Sequence, residues 1–182
     1  MNVVDALLNH HDTLRQLYQQ AENDPTAFET FVHHLVVHHT MEEKYFYDLL
    51  EKFEEAEHAS HEAVNEHHII EMIIKDAQGF PRDHGRFPIK VEGLGEYTVH
   101  HLDEEETEIF PLAGRLFSAE ELDTLGALFE QAKEQLLGLA LPEIPKALAT
   151  KFAEPRPAAS GQAASAAPAV ADTARGLGIG KL

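Results

Sequence analysis

Histidine and glutamate occur together twice in this chain at a spacing that could bind a metal ion. The stretch HHTMEEKYFYDL at 38–49 aligns with HLDEEETEIFPL at 101–112, so His38 matches His101 and Glu42 matches Glu105. Residues four apart on an α-helix lie one turn apart on nearly the same face, and both can reach one metal cluster. Imidazole and carboxylate are natural ligands of first-row metal ions. The repeat therefore predicts two contributions to one metal centre.

Helical periodicity places these residues on core-facing stripes. Steps of three and four through the two copies give Phe28, Phe31, Leu35, His38, Glu42, Tyr45, Leu49 and Val91, Leu94, Thr98, His101, Glu105, Glu108, Leu112. The same steps put His67 inside a third helix, whereas in the first helix His10 and His11 fit equally well. Carboxylates buried without a partner cost on the order of several kcal/mol, and bound metal removes that penalty. Four nitrogens and two carboxylates suit two ions bridged by Glu42 and Glu105.

The neighbouring polar residues are predicted to support this cluster or to face solvent. This group comprises Glu43, Glu104, Glu106, Glu108, His39, His68 and His100, with His33, His58, His61 and His84 as further non-ligands. His34 is less easily set aside because it precedes His38 by one helical turn. Two other metal motifs fit poorly: Glu-x-x-His, which ferritin-like proteins need twice, occurs once, and the HEAVN stretch lacks the second histidine of a zincin.

The elements that must position these residues are helices, and we predict an all-α fold. Long helices are expected at about 3–21, 25–55, 57–77 and 89–110, with Asp24 capping the second and Pro111 bending or ending the fourth. Mostly short connections between them indicate an antiparallel up-down four-helix bundle. A Ser118–Glu121 capping box starts an additional C-terminal helix, packed outside the bundle or extending it.

Composition divides the chain into three regions and narrows its function. We predict a bundle over 1–115, an additional helix and extension over 116–150, and a flexible tail over 151–182, which is rich in Ala, Pro and Gly. A formal charge of −18 argues against nucleic-acid partners. The absence of cysteine excludes thiolate metal sites, and the N-terminus has neither a secretory nor a membrane pattern, so a cytoplasmic location is expected.

Taken together, these segments resemble the hemerythrin-like family, specifically its HHE cation-binding domain. The resemblance covers about residues 1–115 and rests on LLNHHDTLRQL, HEAVNEHHIIEMII and the two His-x-x-x-Glu-Glu segments. It implies His11, rather than His10, as the ligand from the first helix. The implied ligand set is His11, His38, Glu42, His67, His101 and Glu105. The implied cofactor is a pair of non-heme iron ions with an oxo or hydroxo bridge, for which Mn or Zn could substitute.

One departure from the oxygen-carrying members affects the third helix. They carry two histidines four residues apart, whereas the positions four away from His67 are Ala63 and Glu71. A seventh ligand would have to be Glu71, His34, a tyrosine or water. The extra open position favours redox turnover over purely reversible oxygen carriage.

The sequence favours one function and leaves two alternatives. The first is a diiron protein that binds dioxygen or a related small molecule for sensing, storage, stress response or iron homeostasis. The second is a diiron oxidoreductase that decomposes hydrogen peroxide or nitric oxide. The third is a metal-stabilised interaction module that binds a protein partner through its C-terminal helix or tail.

Overall fold

The structure is a computed structural model that describes residues 1–144, and within them all regular structure is helical. The elements are α1 (Val3–Asn23), α2 (Phe28–Glu42), α3 (Asp48–Leu50), α4 (Glu57–Gln78), α5 (Phe87–Glu104), α6 (Phe110–Leu116) and α7 (Ala119–Leu137), with short 3₁₀ turns at Pro25–Ala27 and Leu141–Glu143. No helix in this part of the chain is both long enough and apolar enough to cross a membrane. The predicted tail and the end of the predicted extension, from residue 145 onward, lie outside the described residues.

Four of these helices form the bundle. Contacts between α1 and α2, α2 and α4, α4 and α5, and α5 and α1 close a ring, so each helix packs against two others. The short connections make consecutive helices antiparallel, and the predicted four-helix bundle is confirmed. The additional helix α7 packs outside the ring, against α1 and α2.

Local sequence signals explain where the helices start. The Asn2 side chain accepts a hydrogen bond from the Asp5 amide at 3.0 Å and caps α1. Asp24 caps the 3₁₀ turn that leads into α2, through its bond to the Thr26 amide at 2.8 Å. The capping box predicted between Ser118 and Glu121 is present at the start of α7.

Two π-helical turns, which the sequence did not predict, interrupt the helices that carry the His-x-x-x-Glu motifs. They span Glu43–Tyr47 and Glu105–Ile109, so each begins at or directly after the motif glutamate. A π turn accommodates one extra residue, which delays every later side chain by one position. The second helix, predicted to reach residue 55, is therefore interrupted by a π turn, and its last α-helical segment ends at Leu50. The fourth helix was predicted to bend or end at Pro111, but Pro111 lies in the first turn of α6, which continues to Leu116.

The delay corrects the distal part of both predicted stripes. In the first copy, Tyr45 is only half-buried, and Phe46 and Tyr47 enter the core in its place. In the second copy Glu108 is exposed and Ile109 is buried. The stripes are therefore right up to the glutamates; beyond them Tyr45 and Glu108 leave the core, whereas Leu49 is buried as predicted.

The apolar core consists of two clusters of buried side chains. One includes Phe46, Phe110 and Phe129, and the other includes Phe28 and Phe87. Along each bundle helix, the predicted ligands fall between residues of the first cluster and residues of the second. Apolar layers thus enclose one polar layer, which keeps bulk water away from it.

A close helix contact in the bundle gives a stability prediction. A Cβ built at Gly95 would lie 1.9 Å from the Tyr18 ring, which itself packs against Phe31, whereas one at Gly93 would meet open space. Gly95→Ala should lower the free energy of unfolding by about 1–3 kcal/mol, because the ring must be displaced. Gly93→Ala should leave stability equal or raise it by up to about 1 kcal/mol. Urea unfolding compares the two, and equal effects would show that Tyr18 moves aside without cost.

Candidate metal centre

The polar layer contains every residue in the predicted ligand set. His11, His38, Glu42, His67, His101 and Glu105 are each at most 1% exposed. Two further histidines, His10 and His39, are also buried, each at 3% exposure. The sequence placed His39 at the surface or in a supporting position, and the surface alternative is wrong.

The six residues form two overlapping groups that could each hold a metal ion. His11 and His38 form one group with Glu42 and Glu105, and His67 and His101 form the other with the same two glutamates. Within each group the ligand atoms lie within 4.8 Å of one another. The structure thus brings the predicted residues together and makes the two carboxylates common to both groups.

Distances between individual atoms show how the two halves meet. The Glu105 carboxylate lies 3.3 Å from Nε2 of His11 and 3.2 Å from Nε2 of His101. The Glu42 carboxylate lies 3.3 Å from Nε2 of His38 and 3.6 Å from Nε2 of His67. If α1 and α2 are taken as one half of the bundle and α4 and α5, with the turn after α5, as the other, each glutamate therefore approaches one histidine of its own half and one of the other half.

The bonding of these atoms fits a cation at their centre. Both oxygens of Glu42, both nitrogens of His38 and Oε2 of Glu105 have no hydrogen-bond partner among the described residues. The Nε2 atoms of His67 and His101 lie 2.9 Å apart, and two nitrogen lone pairs at that distance need a proton or a cation between them. Buried polar groups are normally satisfied, so these orphaned atoms indicate ligands for ions.

Three carboxylates outside the centre orient three of the ligand histidines. Nδ1 of His11 donates to Glu106 at 2.8 Å, and Nδ1 of His67 donates to Glu43 at 2.9 Å. Because a carboxylate only accepts, each bond fixes a proton on Nδ1 and leaves Nε2 free for metal. Glu106 and Glu43 thus have the supporting role that was one of their two predicted alternatives.

The third supporting carboxylate was missed by the sequence analysis. Glu66 accepts from Nδ1 of His101 at 2.6 Å. Glu66 precedes His67 on α4 and has no counterpart in the two aligned motifs. Its position beside an inward histidine was the only signal that could have suggested it.

The buried charges shift one another's pKa values in opposite directions. Burial and the Glu105 carboxylate raise the pKa of Glu42 well above its usual range. Burial also opposes ionisation of Glu105, but His101 and His11 outweigh it and hold that pKa well below its usual range. Burial disfavours the charge on His101, yet Glu105 and Glu66 raise its pKa to about 10. Without metal, Glu42 and His101 therefore both keep their protons to a higher pH than these groups usually do.

His39 supports the centre through ring stacking. Its imidazole lies parallel to that of His67, with centroids 3.9 Å apart and an interplanar angle of 10°. His39, His67 and His101 also have nitrogens within 4.8 Å of one another. An ion bound to an imidazole lies in the plane of the ring, so two stacked parallel rings cannot share one ion. The geometry therefore favours His39 as a neutral support for His67, and burial lowers its pKa well below the usual value.

The structure also bears on the choice between His10 and His11 and on the seventh ligand. His11 belongs to a ligand group, whereas Nε2 of His10 faces His34 at 3.5 Å. Glu71 is exposed and bonds Lys75 on the surface, so it does not reach the centre. Tyr47, by contrast, is buried, and its hydroxyl donates to Oε1 of Glu105 at 2.6 Å. Of the protein side chains considered, a tyrosine is the one that the structure brings to the centre.

Comparisons with known proteins agree with this fold and identify the family. The family model of the hemerythrin HHE cation binding domain matches residues 2–113, more than half of the chain, and the chain belongs to that family. It is therefore a helical metal-cation-binding domain.

A solved structure shares the fold: a hemerythrin HHE cation binding domain-containing protein from Mycobacterium kansasii, described as an Rv2633c homologue. The TM-score is 0.69 at 21% sequence identity, over 83% of this chain and 94% of that chain. No curated protein matches this chain.

The shifted pKa values predict how the metal-free protein responds to pH. The pKa of His101 is about 10 in the fold and 6.5 in a model peptide, so its stabilising charge is fully present below pH 6.5. That stability is lost as the pH rises towards 10, and the raised pKa of Glu42 acts in the same direction. The free energy of unfolding should fall by roughly 2–5 kcal/mol between these pH values.

Urea unfolding of chelator-treated protein at several pH values measures this decline. His101→Gln should reduce it, whereas His100→Gln, at the exposed neighbouring residue, should leave it unchanged. An undiminished decline in His101→Gln would assign the titration to other groups.

Proposed function

We propose that this protein holds a non-heme diiron centre that binds dioxygen or a related small molecule. The observation that carries the proposal is the pair of four-residue ligand groups that share Glu42 and Glu105. Sensing, storage, oxidative or nitrosative stress response and iron homeostasis are the roles that such binding would serve. The cytoplasmic location expected from the sequence remains part of the proposal.

The ligand assignment follows from the two groups. His11 and His38 would hold one ion, His67 and His101 would hold the other, and the two glutamates would bridge them. Neutral imidazole and carboxylate suit iron(II) and iron(III), and also Mn or Zn. When bound, the ions supply electrons and open coordination positions at which a small molecule can bind. Only six of the described side chains form the two groups, so open positions are expected.

The surrounding residues prepare the site for such a ligand. Glu43, Glu66 and Glu106 hold three imidazoles with Nε2 directed inward. Apolar residues lie on both sides of the polar layer, and such surroundings strengthen electrostatic interactions with a bound molecule. This setting favours binding of a small, weakly polar molecule.

A second candidate function, decomposition of hydrogen peroxide or nitric oxide, is favoured by Tyr47. Its phenol is buried beside Glu105, and burial together with the Glu105 and Glu42 carboxylates raises its pKa well above the usual value. Tyr47 therefore keeps its proton at neutral pH and holds it at the centre, 2.6 Å from a ligand oxygen. A proton held there could be donated to a peroxide oxygen as the O–O bond breaks.

Iron binding is the first test of the preferred function. Anaerobically purified protein reconstituted with Fe(II) should bind two iron ions per chain and gain a near-ultraviolet absorption band after exposure to air. A band that reverses when oxygen is removed would indicate a carrier or sensor. His101→Ala should lose iron and the band, because one ion loses a terminal ligand.

His100→Ala is the matched control, since His100 is the adjacent residue on α5 and its side chain is 65% exposed. It should retain two irons and the band. Wild-type protein that binds no iron with both motif histidines intact would refute the diiron proposal.

Peroxide consumption separates the second function from the first. If the protein is an enzyme, the iron-loaded form should convert peroxide steadily to water and dioxygen, and Tyr47→Phe should lower the rate by about tenfold to a hundredfold. Tyr97→Phe is the control, because Tyr97 is a partly buried tyrosine on α5 outside both ligand groups. Iron content measured in parallel must stay at the wild-type value, and absence of turnover would leave binding as the function.

A further inference from the structure

An acidic cavity of about 240 Å³ opens beside the metal centre, between α4 and the end of α5. Five glutamates line it, namely Glu62, Glu66, Glu104, Glu105 and Glu108, and Ala63 lies among them. No lysine or arginine in the described part of the chain contributes to its lining. The volume is large enough to hold several water molecules, and so a hydrated ion.

The glutamates form a gradient from the surface to the interior. The exposed fraction of the side chain is 68% for Glu62, 47% for Glu104, 16% for Glu66 and 1% for Glu105. A cation moving inward would meet a carboxylate at each depth. It could therefore exchange hydrating water for protein oxygens in steps, with no long passage through an apolar wall.

The inner end of the cavity is a metal ligand with an unused oxygen. Glu105 belongs to both ligand groups, and its Oε2 has no hydrogen-bond partner among the described residues. Ala63 also lines the cavity, and its small side chain leaves more of the space open than a larger residue there would.

We propose that this cavity is the uptake route along which divalent cations, Fe²⁺ in the proposed centre, reach their ligands. The inference rests on the proposed metal centre and adds to it a docking site made of Glu62, Glu104 and Glu108. Carboxylates along a narrow cleft raise the local cation concentration and the rate of association. Hard carboxylate oxygens also bind Fe²⁺ weakly enough to pass it on to the imidazoles.

A second cavity, of about 320 Å³, approaches the centre from the other side of α4, and its inner end is different. It is lined by Glu43, Glu51, His61 and Tyr47, among others. Tyr47 separates this cavity from the ligands, and its hydroxyl is already bonded to Glu105. Glu105 lines the α4–α5 cavity but not this one, so the α4–α5 cavity is the better route for metal.

The rate of iron uptake tests the route. Anaerobic metal-free protein is mixed with Fe²⁺ at low ionic strength, and iron that a ferrous chelator can no longer remove is measured over time. Glu62→Gln combined with Glu108→Gln should slow uptake roughly tenfold and still reach the wild-type iron content, because neither residue belongs to a ligand group. Added salt should slow the wild type towards the variant, since it screens exposed carboxylates.

The matched control removes the same charge elsewhere. Glu120→Gln with Asp123→Asn changes two exposed acids on α7 and should leave the rate unchanged. Equal slowing in both double variants would show that the net charge of the protein, and not the cavity, sets the rate, and would overturn the proposed route. An unchanged rate in the cavity variant, or slowing by Glu51→Gln instead, would also overturn it. Wild-type protein that takes up no iron would contradict the metal centre itself, which separates that failure from failure of the route.

Discussion

Two carboxyl groups that meet in an apolar interior set the conditions for the rest of the structure. Glu42 and Glu105 are fully buried; burial and the Glu105 carboxylate raise the pKa of Glu42, whereas His101 and His11 outweigh burial and lower the pKa of Glu105. Four imidazoles surround them, yet several ligand atoms have no hydrogen-bond partner in the part of the chain that the structure describes. Such an arrangement costs free energy unless a cation lies at its centre, so metal binding and folding are coupled in this domain.

The supporting bonds tie the two halves of the bundle together. Glu43 follows the motif of α2 and holds His67 of α4, whereas Glu106 follows the motif of α5 and holds His11 of α1. Each half therefore orients a ligand of the other. Arg15 on α1 adds to this by donating to Glu106 at 2.8 Å, which links a partly buried ion pair to a buried imidazole. A ligand group cannot form fully in one half alone.

Periodicity located the ligands because metal-binding side chains must share the core-facing side of a helix with apolar residues. It failed where the backbone left the α-helical period, as at Tyr47, because a π turn has no compositional signature. For His39 the sequence left a surface and a supporting position open, and only the packing of its ring on His67 decides for the supporting one. The role of Glu66 depends on its contact with His101 across the α4–α5 interface, and the spacing of residues along the chain does not reveal such a contact.

The two π turns have a consequence for how this domain can change over evolution. Each turn lies between the metal-binding residues and the apolar packing residues that follow in the chain. The positions that face the core are therefore counted separately before and after the turn. Loss of the extra residue from either turn would restore an α-helix and leave the segment beyond it facing the same way, because the π turn absorbs that residue. A change of one residue in chain length can therefore be accepted there without moving the ligands or the packing residues. Chimeras of two relatives could therefore be joined at these turns, with the metal-binding residues taken from one protein and the packing residues beyond the turn from the other.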